Sequence, residues 1–170
     1  VERAGEGGYR VRTSQGPFAA DRVIVATGGL SVPKVGASGL GYQIAAAFGL
    51  ARVPCRPGLV PLTFSDTDRA RWPGLQGVAL PVRLACGKQA FEDSLLFTHK
   101  GLSGPAILQI SNYWREGQPL TIDWLPGHDT RAWLDANRQR PLKLSNLLAE
   151  VFPQRLARVW AAAMAQDKPL

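Results

Sequence analysis

Tyr9-Arg10-Val11-Arg12-Thr13 alternates apolar with polar positions, the two-residue period of a half-buried strand. Gln15-Gly16-Pro17 marks a turn, after which Phe18–Ala20 can pair back. Arg22-Val23-Ile24-Val25-Ala26-Thr27 is a continuous β-branched run, the pattern of a buried parallel strand. A glycine-rich stretch follows it and leads into a predicted helix over Tyr42–Phe48, stopped by Gly49. From Ala51 onward, prolines punctuate β-type runs at Leu59–Phe64, Gly77–Cys86 and Gln89–Phe97, and Gly87-Lys88 reads as a hairpin turn. Ser103-Gly104-Pro105 opens a helix to about Tyr113, with Ile107, Leu108, Ile110 and Tyr113 available for packing, and Pro119–Leu125 reads as a strand. Beyond Pro126 the period becomes helical, with helices expected over Thr130–Arg140, Leu144–Phe152 and Gln154–Gln166. Asp129 or Thr130 can cap the first of these, and Ser145 lies near the start of the second. Trp133 and Trp160 fall on helical faces and read as core.

The expected class is α+β in three parts: 1–50, a strand and hairpin segment; 51–126, a small antiparallel β-barrel-like domain; and 127–170, a helical subdomain. At 170 residues and 45% hydrophobic content the chain can bury a real core, and thorough disorder is excluded. No apolar run approaches about 18 residues, so no membrane span is expected. The chain starts at Val1 without Met and is helical towards its last residues, so an internal stretch of a longer protein is expected. Cys55 and Cys86 have no CxxC partner, which excludes a disulfide scaffold and a zinc knuckle. They read as two buried thiols in a reducing cytoplasm, with a single disulfide between them as the alternative.

Net charge is +7 with pI about 10.0, from fifteen Arg and five Lys. The cations are scattered rather than blocked, so a solvated basic surface is favoured over a nucleic-acid footprint. The strongest site signal is the strand–glycine–helix stretch. Gly28, Gly29, Gly36, Gly39 and Gly41 let backbone approach a ligand, yet their spacing matches neither the GxGxxG fingerprint nor a Walker loop. Gly101-Leu102-Ser103-Gly104-Pro105 resembles a nucleophile elbow only in part, and capping by Ser103 or Gly104 explains it without chemistry. His99 lies in the dense polar-glycine segment Thr98–Gly104; His128 sits at a helix start and reads as surface or cap. Asp66 and Asp68 stand in an expected loop with no further oxygen ligands at calcium spacing, and no metal site is expected.

Val23–Phe48, reading VIVATGGLSVPKVGASGLGYQIAAAF, and Leu96–Trp114, reading LFTHKGLSGPAILQISNYW, together resemble the aminoacetone-oxidase-like, bile-acid-reductase-related family of bacterial FAD-dependent oxidoreductases. The resemblance spans nearly the whole chain, and its second motif is the more specific. It implies a longer flavoprotein in which this chain supplies the end of a Rossmann-type FAD domain, then an inserted middle domain covering the flavin and substrate cleft. Carried across, Ala26, Thr27, Gly28 and Gly29 would lie close to FAD. Ser31, Pro33, Lys34, Gly36, Ser38, Gly39, Gly41 and Tyr42 would form the loop and helix entry facing the flavin. Thr98, His99, Gly101, Leu102, Ser103 and Gly104 would approach the substrate side. The implied partners are a small-molecule substrate and the remaining parts of the same protein, with NAD(P)H a candidate electron donor. The resemblance supplies no catalytic base, and none is required where the isoalloxazine carries the hydride. The isolated chain lacks a pyrophosphate-binding glycine turn and is expected to hold FAD weakly or not at all. Two alternatives stand beside this reading: an autonomous basic β-barrel module for nucleic acid or an anionic ligand, and, more weakly, a serine hydrolase built on Ser103.

Overall fold

The computed structural model describes residues 1–5 and 7–164. The chain divides into two compact units, Val1–Cys55 and Arg56–Leu170. The first unit opens with an antiparallel meander of β1 (Glu2–Arg3), β2 (Tyr9–Thr13) and β3 (Gly16–Ala20), in which Tyr9 faces Ala20 and Thr13 faces Gly16. The predicted hairpin is therefore present. Its turn closes through Thr13, whose hydroxyl donates to the Gly16 carbonyl at 2.9 Å and accepts from the Gln15 N–H at 3.1 Å. Helix α1 (Leu40–Ala47) begins two residues earlier than the pattern suggested. It ends where expected: Gly49, at φ +73°, donates to Ala46, and Leu50 donates to Ala45, both at 3.0 Å.

The expected strand over Val23–Thr27 is absent: these residues pair with nothing in this unit, and Ile24 is 90% exposed. A parallel strand is held by partners along its edges, and none of the described strands of this unit pairs with the run. Every buried hydrophobic side chain among the described residues lies between Leu75 and Ala161, so the first unit encloses no core of its own. Cys55 is exposed, contrary to the expected pair of buried thiols; Cys86 is buried, and both are free.

The second unit is built on a five-stranded antiparallel sheet, order β4-β7-β6-β5-β8, curled into a half-barrel. Its strands are β4 (Leu62–Thr63), β5 (Ala79–Cys86), β6 (Gln89–Phe97), β7 (Gly101–Ser103) and β8 (Thr121–Asp123). β5 and β6 form the predicted hairpin, turned at Gly87 with φ +58°. Of the run Leu59–Phe64, only Leu62 and Thr63 pair as strand. β5 alternates without interruption, and Leu80, Val82, Leu84 and Cys86 all point into the core. Burying each leucine contributes roughly 1.5–3 kcal/mol before chain entropy is counted. Helix α3 (Pro105–Ser111) lies on this face with Ala106, Ile107 and Ile110 fully buried, while Tyr113 is 47% exposed and stacks on Phe91 at 5.7 Å.

α2 (Asp66–Arg71) replaces the expected loop at Asp66 and Asp68. Its N-cap Ser65 accepts from the Asp68 N–H, and the Asp68 carboxylate accepts from the Ser65 N–H at 3.1 Å, a reciprocal cap. The Asp68 carboxylate is therefore a helix-capping group, Asp66 is an exposed first-turn residue paired with Arg69, and the described residues contain no cluster able to hold a metal. α4 (Thr130–Asn137) is capped by Asp129 through the Ala132 N–H at 3.0 Å. α5 (Leu144–Leu148) starts after Lys143, so Ser145 lies inside the first turn and is buried. α6 (Gln154–Ala163) carries Leu156, Ala157 and Ala161 into the core; residues 165 and 166 of the expected helix lie outside the described residues. Trp160 joins the core, whereas Trp133 is only half-buried and stands apart from it. No helix of the described residues is long and apolar enough to cross a membrane.

α4 is tied to the turn after α5 by Arg140, whose two terminal nitrogens reach the Glu150 carboxylate at 2.7 and 2.8 Å. Those hydrogen bonds, helped by the guanidinium charge, hold the Glu150 carboxyl below its ordinary range against the opposing effect of burial. A carboxyl lowered on folding stabilises the fold above its unfolded value, and that contribution is lost as pH falls through the folded value. Between about pH 5 and about pH 3, wild type should therefore lose melting temperature faster than Glu150→Gln. A gap between the two proteins that stays constant over that window would contradict the pairing.

Gly104, the N-cap of α3, has φ +95°, and a Cβ there would meet the Ser94 carbonyl at 2.6 Å and the Leu96 nitrogen at 2.9 Å. Gly104→Ala should lower the unfolding free energy of the chain by about 1–3 kcal/mol from backbone strain alone, read from a urea titration. An unchanged urea midpoint would show that the α3–β6 contact can relax.

Candidate functional site

The segment Thr98–Gly104 is a tight β6–β7 connection that runs directly into α3. Thr98 organises it. Its N–H donates to the Gly101 carbonyl at 2.8 Å, and its hydroxyl donates to the same carbonyl at 3.1 Å. That hydroxyl also accepts from the Lys100 and Gly101 N–H groups at 3.3 and 3.1 Å. The Lys100 carbonyl in turn accepts from Phe64 N–H at 2.8 Å, which fixes the turn to the residue after β4. Gly101 is buried at φ +153°, and a Cβ there would overlap the Leu62 carbonyl and the Thr63 backbone. Leu102 is core, and Ser103 sits in β7 opposite Leu96.

Most of the substrate-side residues thus carry a structural duty. Ser103 is not a capping side chain: the cap position falls on Gly104, which offers no side-chain bond. Its neighbourhood also lacks the strand–turn–helix elbow of a hydrolase, because β7 is a three-residue strand paired on both edges. His99 and Lys100 are the exposed tip, and His99 takes no part in the turn's hydrogen bonds. His128 is also exposed, just before the cap of α4.

A cavity of about 260 Å3 opens beside that tip. Phe64, Trp72 and Phe97 line it with aromatic surface; Arg69, Gln76 and His99 bring polar groups. Two of its walls are held rigidly. Arg155 donates from one nitrogen to the Gly74 and Gln76 carbonyls at 3.2 and 3.0 Å, and the Thr98 turn closes the other side. The sequence pattern gave no hint of this cavity, because its residues come from the end of β4, from α2 and its exit loop, and from β6. A larger groove of about 750 Å3 is lined by Val60, Leu62, Trp114 and Leu120 with Arg56 and Arg115. It does not include the Thr98–Lys100 tip, and Arg115 already spends a nitrogen on the Asn112 and Trp114 carbonyls at 3.0 and 2.7 Å. The smaller cavity is the better candidate because the exposed histidine borders it.

In the first unit, Ala26, Thr27, Gly28, Ser31, Pro33, Lys34, Gly36 and Ser38 are exposed, and Gly29, Gly39, Gly41 and Tyr42 are half-buried. Pro33–Val35 forms a single 3-10 turn. Gly28 and Gly36 have φ of +71° and +91°, and open space lies where a Cβ would stand. Their positive φ alone favours glycine at both positions. Gly41 is different: a Cβ there would press on the Thr27 hydroxyl at 2.9 Å, so this glycine lets α1 pack on the preceding segment. The Tyr42 hydroxyl is held above its ordinary range, first by its hydrogen bond with the Cys55 thiol, and Arg52 stacks over the ring at 5.3 Å.

Comparison with known proteins bears on both units. Ribosomal RNA dihydrouridine synthase of Haemophilus influenzae is 45% identical over 142 residues, covering 81% of this chain and 35% of that protein. The Escherichia coli protein of the same name is 45% identical over 139 residues, covering 80% of this chain and 35% of that protein. The 3-dehydro-bile acid delta(4,6)-reductase of Clostridium scindens is 31% identical over 127 residues, covering 70% and 31%. The resemblance to bile-acid reductases therefore holds at a distance, while the stronger similarity is to the ribosomal RNA enzymes, which the motifs alone did not indicate. The chain spans about a third of the length of these curated relatives. The family model of the HI0933-like protein barrel and H2TH domain matches residues 56–170, the whole of the second unit, and the chain belongs to that family.

Proposed function

We propose that this chain is the barrel-and-helix portion, with an adjoining flavin-contacting segment, of an FAD-dependent oxidoreductase that reduces a uracil base in ribosomal RNA. The observation that carries this reading is the 45% identity to two ribosomal RNA dihydrouridine synthases over four-fifths of the chain. The coarser part, a flavin-dependent oxidoreductase, is supported independently by the distant reductase and by the family. When bound, FAD supplies the hydride. The exposed backbone of Ala26–Gly29 and the loop at Gly36 would form part of its binding surface.

His99 would then hold the substrate. Its turn is internally satisfied and rigid, so an imidazole on it is positioned with little entropy left to lose. Thr98, Gly101 and Gly104 act one step back, by fixing that turn. The scattered cations alone favour a solvated basic surface, so the RNA substrate rests on the similarity to the two ribosomal RNA enzymes.

The test is made on the full-length protein. Purified enzyme should carry flavin absorbance and convert uridine to dihydrouridine in ribosomal RNA. His99→Ala should slow that conversion by about 10²-fold, the lower range for a lost positioning or acid–base group, with flavin content and melting temperature unchanged. Full conversion by a flavin-loaded His99→Ala enzyme would remove His99 from the site. Absence of flavin from the full-length protein would remove the oxidoreductase reading altogether.

A further inference from the structure

We propose that the cavity walled by Phe64, Trp72 and Phe97 receives one unpaired nucleotide of the RNA strand, flanking the base that is reduced. The inference rests on the RNA reading above and extends it to a second subsite. The cavity of about 260 Å3 falls below the roughly 300–1,000 Å3 of drug-sized pockets, which suits one nucleoside and not two. Half-buried Phe64 supplies the stacking surface, backed by Phe97 in the core and by Trp72, which is packed among Phe97, Trp124 and Trp160; unpaired RNA bases are captured in this way, by stacking on an aromatic side chain with hydrogen bonds to the base edge. Gln76 offers such an edge partner, with both a donor and an acceptor on one amide.

Arg69 at the border matches the strand's charge. Among the described residues it pairs with Asp66 at 3.0 Å, a fully solvated carboxylate readily exchanged for a phosphate. Lys100, at the exposed tip beside His99, adds a second cation nearby. A base undergoing reduction must lay one face on the flavin. A base held here meets protein aromatic surface instead, which assigns the cavity to a neighbour of the reacting base. The cavity is also preformed, since Arg155 pins the Gly74–Gln76 loop and Thr98 pins the opposite turn. A preformed site loses less entropy on binding.

The probes are a fluorescein-labelled single-stranded oligouridylate of about eight nucleotides and an abasic strand of the same length, titrated by anisotropy against the full-length protein. The oligouridylate should bind at least about 5-fold tighter than the abasic strand. Phe64→Leu keeps apolar bulk but removes the ring, and should weaken oligouridylate binding about 5-fold or more while leaving the abasic strand unaffected. Arg69→Gln, an exposed change that leaves folding intact, should weaken both strands. Equal binding of the two strands, no binding of either, or oligouridylate affinity unchanged in a folded Phe64→Leu variant overturns the base pocket. Uridine reduction by the full-length enzyme is scored separately. Reduction with a failed binding test removes the pocket alone, and base-dependent binding without any reduction removes the enzymatic reading alone.

Discussion

The rings of Trp72, Phe97, Trp124, Phe152 and Trp160 form one continuous aromatic cluster, and the second unit is organised around it. Trp124 lies parallel to Phe97 with ring centres 6.2 Å apart, and meets Trp160 edge-on at 5.1 Å. Trp160 meets Phe152 edge-on at 4.7 Å, and Trp72 sits within 6.4 Å of three of the others. The contacts join β6, the segment after β8, the exit of α2 and helix α6. These are separate in sequence, and no local rule would bring them together. Offset and edge-to-face pairs add about 0.5–1.5 kcal/mol each beyond the area they bury, so the cluster fixes the helices on the sheet as well as filling the space between them. Trp72 also carries the Arg71 guanidinium 5.5 Å from its ring centre, so it borders the cavity beside His99 as a packed ring.

The densest sequence motif, Thr98–Pro105, does two jobs with different residues. Gly101 and Gly104 are glycines because strands β4 and β6 approach where a Cβ would stand. Thr98 is a threonine whose hydroxyl closes the turn. These are requirements of packing, and a motif can be specific to a family for that reason alone. What the packing leaves over is the tip. His99 serves no structural bond there, and the strictness of the scaffold beneath it is what gives an exposed imidazole a defined position.

The first unit shows the opposite balance. Ile24, Val25, Leu30, Val32, Val35 and Val53 are all largely exposed, although their residue types belong in a sheet or a core. Its meander and α1 are bounded by local devices, the Thr13–Gly16 turn and the Gly49 stop, and the rings of Tyr9 and Phe48 meet between them at 5.9 Å. The β-branched run at Val23–Thr27 has no such local device. Strand propensity expresses how well a residue fits a pleated, half-buried surface, and this unit provides no such surface.

The sequence by itself determined the elements whose signals are local. The Gly87-Lys88 turn and the alternation of Ala79–Cys86 made the central hairpin legible, Asp129 marked a helix start, and Pro126 marked the change from strand to helix period. It also marked the Thr98–Gly104 segment as unusual. Only the tertiary structure decided the rest. It placed Asp66 and Asp68 in the first turn of a helix, with Asp68 part of its cap. It left Cys55 in solvent and unpaired Val23–Thr27. It also assembled the aromatic cavity from residues up to 35 positions apart, Phe64 to His99. The division has one physical cause. Turns, caps and strand periods are set by interactions within a few residues. Burial, pairing and cavities depend on which distant segment arrives, and in a chain with this composition many apolar segments compete for the same surface.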